Sequence, residues 1–200
     1  IEKIMNTKKL RIVMSCSSSP DFVKKWQRCI DSQKEYCKKH GYDYVIDDRP
    51  LLEGQTKHEW TWKKHYTLDQ YENTHDVLIG IDADCEIKSS TPPIESILNE
   101  NSIYYVLGIS KRPNAGFMIY RNDEIRKYFH TELMKRRSQP VPKNFKVKSL
   151  GDNGHVIWIL SEMSTGLQEL PLNWNCSQPK YKDDAYILHY TNKLKKYYDL

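Results

Sequence analysis

The stretch Asp76-Val77-Leu78-Ile79-Gly80-Ile81-Asp82-Ala83-Asp84 decides how the rest of the chain is read. Residues 76–81 form a nearly continuous apolar run, as a central strand covered on both faces requires. Two carboxylates separated by one residue follow at once, where the strand would end. In an open α/β sheet, ligands bind at the carboxyl ends of the strands. Paired carboxylates there can converge on a hard divalent cation, Mn2+ or Mg2+, which prefers oxygen ligands and is commonly shared with substrate phosphates. The bare pattern is weak, because about fourteen aspartates in a chain of this length give one Asp-x-Asp about once by chance. A solvated acidic turn is the plain alternative, and the apolar strand in front of the pair argues against it.

Working outward, Leu10 to Ser15 reads as the first strand, broken by Cys16-Ser17-Ser18-Ser19-Pro20. A helix then starts with Ser19 as N-cap, Pro20 at the first helical position and Asp21 in the first turn. Phe22, Trp26, Cys29, Ile30, Gln33 and Cys37 recur at helical spacing, and Gly41 supplies a left-handed stop. Tyr42 to Ile46 reads as the second strand, so the unit is β-α-β and its strands run parallel. A helix over Glu59 to Glu72 precedes the central strand, and a short helix over Ile94 to Leu98 follows it. Strands are expected at 103–109, 116–120, 167–170 and 186–189, with helices over 123–135 and 153–163. Residues 138–148 are rich in Pro and Lys and read as a surface loop. No repeat or low-complexity tract interrupts this order. The fold class is α/β: one domain over residues 1–200, with an open, mixed, mostly parallel sheet flanked by helices.

The composition agrees: 28% charged and 38% hydrophobic residues describe a folded chain rather than a disordered one. The 14 tyrosines and five tryptophans suit both a core and sugar- or base-stacking surfaces. A net charge of +5 is compatible with anionic partners such as a nucleotide, and equally with plain solubility. No apolar run approaches the roughly 20 residues that span a bilayer, and the first residues lack the apolar segment of a signal peptide. Cys16, Cys29, Cys37, Cys85 and Cys176 are odd in number and lack C-x-x-C spacing, so reduced thiols in a cytoplasmic protein are expected.

Five blocks in order carry a more specific likeness. Ile81-Asp82-Ala83-Asp84 resembles the metal-binding DxD of GT-A glycosyltransferases, and Asn114-Ala115-Gly116-Phe117 is similar to their donor-contacting N-x-G-F segment. Gly151-Asp152-Asn153 resembles the Asp-Gln pair of glycosyltransferase family 8, the glycogenin and lipooligosaccharide galactosyltransferase group. Leu170-Pro171-Leu172-Asn173-Trp174-Asn175 and Leu188-His189-Tyr190-Thr191-Asn192 with Lys195 resemble two further blocks of that family. Asn153 stands where the family has glutamine, and Asn192 where it has glycine. Trp62-Lys63-Lys64 resembles the W-x-K segment of the galactosyl/mannosyltransferase group. The compact size and Lys/Asn/Tyr-rich composition also resemble a glycosyltransferase domain of a large chlorella virus.

The resemblance implies a GT-A fold, a UDP-sugar donor, a glycan or other hydroxyl acceptor, Mn2+ (or Mg2+) as cofactor and retention of configuration. Asp82, Asp84 and His189 would hold the metal, with Ala83 lying against the donor between the two carboxylates. The base would sit near Ser15, Cys16, Ser17, Asp47, Asp48 and Arg49. Lys63 or Lys64 would reach phosphate or ribose and Lys195 the diphosphate; exposure on a helix face or tail is the ordinary reading of each. Asn114, Ala115 and Gly116 would line the sugar with Asp152, whose alternative role is a helix N-cap. Asn153 would take the place of the front-face amide. A sugar nucleotidyltransferase shares the fold logic, but Cys16-Ser17-Ser18-Ser19 lacks the Gly-rich phosphate loop it should carry. A nucleic-acid-binding module would need interleaved basic and aromatic motifs that are absent here, so nucleic acid is not among the expected partners. A non-catalytic carbohydrate-binding relative would have no use for the intact Asp82, Asp84 and His189.

Overall fold

The computed structural model describes residues 9–147 and 151–198. The signal-peptide reading at the N-terminus and the last residue of the expected 138–148 loop, Lys148, lie outside them. Among the described residues the strands are β1 (Ile12–Ser17), β2 (Asp43–Asp47), β3 (Val77–Ile81), β4 (Cys85–Ile87), β5 (Ile103–Leu107), β6 (Pro113–Arg121), β7 (Leu167–Leu170) and β8 (Ile187–His189). The α-helices are α1 (Pro20–Lys25), α2 (Gln27–His40), α3 (Glu59–Asp69), α4 (Glu124–Arg136) and α5 (Asn153–Glu162).

Six strands form one sheet in the order β2-β1-β3-β6-β5-β7. The pairs β1–β2, β1–β3 and β5–β7 are parallel, while β6 is antiparallel to both β3 and β5. Hence β6 alone is reversed, and its start lies at the edge where β1, β2 and β3 end. That edge receives Asp47, Asp82 and Asn114 from three different strands.

Side chains of β3 alternate across the sheet. Val77, Ile79 and Ile81 join the core beneath α2 with Met14, Ile30, Tyr104 and Phe117. Leu78 joins the opposite core with Trp62 of α3, Phe129 and Leu133 of α4, and Val156 and Leu160 of α5. Burial of all five β3 residues confirms the central strand expected from its apolar run.

Several bounds differ from expectation: β5 stops at Leu107, β6 starts already at Pro113, α3 ends at Asp69 and Ile94–Ile97 is a 3-10 helix; three further differences shape the site. The first strand runs on through Ser17, because Ser15, Cys16 and Ser17 pair with Val45, Ile46 and Asp47, and ladder pairing overrides the turn preference of serines. The first helix is broken at Trp26 (φ −102°, ψ 31°), whose indole packs 5.9 Å from the Tyr190 ring and 4.3 Å from that of Tyr198. Its ends follow expectation: Ser19 Oγ accepts from Phe22 N at 3.2 Å, and Gly41 takes φ 73°. The third is β4, which was not expected; it pairs antiparallel with β8 in a small second sheet and sets Cys85 opposite His189.

Ile79 is fully buried between Met14 and Ile119 on the two neighbouring strands. Ile79→Ala should therefore cost about 2–5 kcal/mol, read as a lowered urea midpoint with an unchanged slope. A midpoint within error of wild type would contradict the central placement of β3.

Candidate metal and donor-sugar site

The acidic pair sits in a turn tied down from several sides. Asp82 N donates to Gly116 O at 2.8 Å, Cys85 N closes the turn onto Asp82 O at 3.1 Å, and Tyr190 N donates to Asp84 O at 2.9 Å. The pairing of β4 with β8 then brings in His189. Its Nε2 lies 3.4 Å from Asp84 Oδ1 and 3.9 Å from Asp82 Oδ2. The other ring nitrogen, Nδ1, is 3.0 Å from Asn175 Oδ1, while Asn175 Nδ2 donates toward Asn114 Oδ1 at 3.3 Å. An amide oxygen only accepts, so Nδ1 carries a proton and Nε2 is turned to the carboxylates. Burial works against a charged His189, but Asp84 outweighs it and holds the imidazole above its ordinary value. Burial would likewise raise Asp84; His189 reverses this and holds the carboxyl below the usual range.

His189 can come this close only because residue 116 is glycine. A Cβ there would lie 2.3 Å from His189 Cε1 and 2.7 Å from Nδ1. Asn192, where the resembled family has glycine, takes φ 49°, a left-handed conformation that asparagine tolerates better than most residues. Asp84 and His189, with Asp82 Oδ2 3.9 Å from the imidazole, offer the oxygen and nitrogen donors that Mn2+ or Mg2+ takes, and a cation there would replace the proton that the carboxylates favour on Nε2. Cys85, expected from the sequence to be a plain reduced thiol, places its sulfur within 4.8 Å of ligand atoms of Asp84 and His189. Burial pushes that thiol well up, and it points at Gly116 O at 3.5 Å, so it stands behind the ligand set.

Lys64 departs most from its ordinary reading. Its side chain is 5% exposed, and its ammonium lies 3.1 Å from Asp82 Oδ1, 2.8 Å from Ala115 O and 3.2 Å from Asp152 Oδ2. Burial opposes its charge, but Asp152 and then Asp82 hold the pKa above that of a free lysine. Asp152 occupies the N-cap position of α5, but its side chain makes no capping hydrogen bond. Instead Oδ2 also meets His65 Nε2 at 2.7 Å, and its backbone N donates to Thr61 Oγ1 at 3.1 Å. Burial lowers His65, so it is the neutral partner; Lys64 leads in overcoming the burial that would raise Asp152, whose carboxyl stays ionised. His65 and Thr61 were missed in the sequence, where nothing marks a helical His and Thr as facing a residue some 90 positions away.

The amides are oriented by backbone donors. Gly116 N donates to Asn114 Oδ1 at 2.8 Å, and Ala115 N donates to Asn153 Oδ1 at 2.8 Å. Both oxygens being engaged, the ends left to a ligand are the two NH2 groups.

The base edge is only partly as expected. Ser15 and Cys16 are buried and paired on both sides, to β2 and β3, so neither offers a free backbone edge; burial also pushes the Cys16 thiol up. Ser17, at the end of β1, is the member of the trio that reaches the rim. Asp47 is saturated by Arg49 Nε at 2.9 Å, Arg49 Nη2 at 2.8 Å, Thr67 Oγ1 at 2.9 Å and Lys63 Nζ at 3.0 Å. The Arg49 hydrogen bonds, supported by Lys63 and Thr67, hold its carboxyl well below the usual range. Asp48 is exposed and has no side-chain partner among the described residues, so it is the acceptor left at this edge. Ala83 is buried within the acidic turn. Lys195 is exposed on a 3-10 helix over Asn192–Tyr197, with no side-chain partner among the described residues.

No family model matches the sequence, and no curated protein matches it. Solved structures do match in fold. One is a glycosyltransferase involved in the glycosylation of the major capsid of PBCV-1, with TM-score 0.74 and 15% identity over 93% of this chain and 96% of that one. Another is the bifunctional glycosyltransferase WbbM in its apo structure, with TM-score 0.62 and 12% identity over 96% of this chain. The chain spans 47% of WbbM's length. At these identities the likeness shows the fold, which is GT-A-like and shared with glycosyltransferases, and leaves the family 8 likeness resting on its five sequence blocks.

Two substitutions test this geometry. Gly116→Ala should stay folded yet displace His189, which one-dimensional imidazole proton spectra would show as a shifted His189 resonance; an unmoved resonance would contradict the close approach. For Asp47, stability from a depressed carboxyl is present above the ordinary value of 3.8 and lost as pH falls through the folded value. The urea-midpoint gap between wild type and Asp47→Asn should be widest above about pH 4 and shrink below it. A gap that stays constant with pH would contradict the ionised clamp.

Proposed function

We propose that the chain is a metal-dependent glycosyltransferase moving a sugar from a UDP-sugar to a hydroxyl of a glycan or other small acceptor. The observation that carries this is the convergence of Asp82, Asp84 and His189 at the carboxyl edge of a GT-A-like sheet, next to Asn114, Asp152 and Asn153. Asp82, Asp84 and His189 would hold Mn2+ or Mg2+; when bound, such a cation supplies Lewis acidity to the diphosphate leaving group. Lys64 bridges Asp82 and Asp152 and fixes them relative to each other. Asp48 and the rim at Ser17 suit the base, and Lys195 is free to meet the diphosphate. Toward the sugar, Asp152 Oδ1 has a hydroxyl proton to accept, and the NH2 groups of Asn114 and Asn153 have hydroxyl oxygens to meet. Directional hydrogen bonds of this kind discriminate hydroxyl positions, because a missing partner leaves a buried group unpaired.

Retention follows the family 8 likeness. An amide is a feeble nucleophile, and Asn153 has its oxygen committed to Ala115 N. This supports an ion-pair-like substitution on one face over a covalent intermediate. All five cysteines are free and buried, which supports a reducing, cytoplasmic setting. No helix among the described residues is long and apolar enough to cross a membrane.

The test is release of free nucleoside diphosphate from a panel of nucleotide sugars, with and without Mn2+. Metal-dependent release with a uridine donor is expected; no release with any donor, together with no thermal shift on adding UDP, would overturn the proposal. Asp84→Ala should lower the rate at least a hundredfold, and full turnover by that variant would remove Asp84 from the ligand set while leaving the transferase reading intact.

A further inference from the structure

Gln33 lies on α2, 49 positions before Asp82, and is fully buried. Burying a primary amide is costly unless its donors and acceptor are all paired. Gln33 pairs them onto one target. Nε2 donates to Asp82 O at 3.1 Å and to Cys85 O at 2.7 Å, the carbonyls at either end of the acidic turn. Oε1 accepts from Tyr44 OH at 2.7 Å, on β2. The two backbone carbonyls only accept, so the NH2 end of the amide faces the turn and Oε1 is left to accept from the tyrosine hydroxyl.

We propose that Gln33, braced by Tyr44, is a positioning residue that sets the geometry of the Asp82–Cys85 turn and thereby the affinity of the site for its cation; the functional half of this rests on the metal reading above. The turn has few other anchors. Cys85 N closes it onto Asp82 O, Asp82 N reaches Gly116 O on β6, and Tyr190 N reaches Asp84 O after β8. None of these bonds holds the Cys85 carbonyl. With Gln33 removed, that carbonyl loses its side-chain donor and nothing from α2 clamps the turn at both ends. Ala83 and Asp84 would then be held only through the backbone bonds of Cys85 N and Tyr190 N, a looser turn in which the Asp84 carboxylate shifts relative to His189 Nε2. Groups that orient metal ligands commonly change affinity by ~10–100-fold when lost, without touching the metal.

Gln33→Glu keeps the shape and the Tyr44 contact but turns a carboxylate oxygen toward two carbonyl oxygens. Gln33→Leu removes the polar group, and Tyr44→Phe removes the brace while leaving the amide. Amide hydrogen exchange of residues 82–86, followed by mass spectrometry on the full chain, reads the turn itself. Exchange there should speed up at least tenfold in both Gln33 variants and less in Tyr44→Phe, with α4 and β5 unchanged. Mn2+ binding, followed by the electron paramagnetic resonance signal of free Mn2+, should weaken at least tenfold in the Gln33 variants. Unchanged exchange at 82–86 in a folded Gln33→Glu would overturn the proposal. So would Mn2+ affinity equal to wild type while the turn exchanges faster. Should wild type bind no Mn2+ at all, the metal reading fails, and the exchange data alone then decide whether Gln33 clamps the turn. If Gln33→Leu does not fold, Gln33→Glu and Tyr44→Phe carry both measurements.

Discussion

The site depends on one buried ammonium. Lys64 is enclosed by protein, and an ion taken out of water must find counter-charges or give up its proton. It meets Asp82 at the end of β3, Asp152 at the start of α5 and the Ala115 carbonyl on β6. One side chain on α3 thus fixes the separation of a proposed metal ligand and a proposed sugar contact. Breaking such a network by removing one partner leaves an uncompensated buried charge, which costs more than the network contributes when whole. That asymmetry makes the cluster a constraint on the rest of the fold. The β3–β6 register, the turn after β3 and the entry into α5 must all agree for Lys64 to be satisfied.

A second constraint acts from the other side. His189 enters on β8, which is held by the three-residue strand β4, by backbone hydrogen bonds to and from Cys176, and by the packing of the following Tyr190 on Trp26. Glycine at 116 leaves room for the imidazole, and Asn175 fixes its orientation. Asp82 and Asp84 therefore face Lys64 on one flank and His189 on the other. Each of the two neighbouring carboxylates in this small turn thus has its own nitrogen partner, Lys64 for Asp82 and His189 for Asp84.

Much of this was legible in the sequence. The central strand and, apart from β4, the order of the strands and α-helices lie where a reader of the chain would place them, though Asn114 and Ala115 fall inside β6 rather than before it. What was hidden depends on contacts between distant segments. Three residues, Cys85-Glu86-Ile87, are too few to show a strand's alternation, so β4 was invisible. Cys16 and Ser17 read as part of a breaker because serine favours turns, yet β2 pairs with both and β3 with Cys16, which keeps them in the sheet. Lys64 read as a solvent-facing lysine because its partners sit 18, 51 and 88 positions further on. Gln33 was visible as part of a buried helical face, but no local signal says that its amide reaches the turn after β3.

The central claim is that Asp82, Asp84 and His189 converge to hold a divalent cation. Anomalous diffraction from crystals grown with Mn2+ and UDP tests it most directly. The account predicts a manganese peak within bonding distance of Asp84 and His189 Nε2, with the UDP phosphates on its open side. A fully occupied UDP with no manganese peak at these residues, or with the peak elsewhere on the chain, would contradict it.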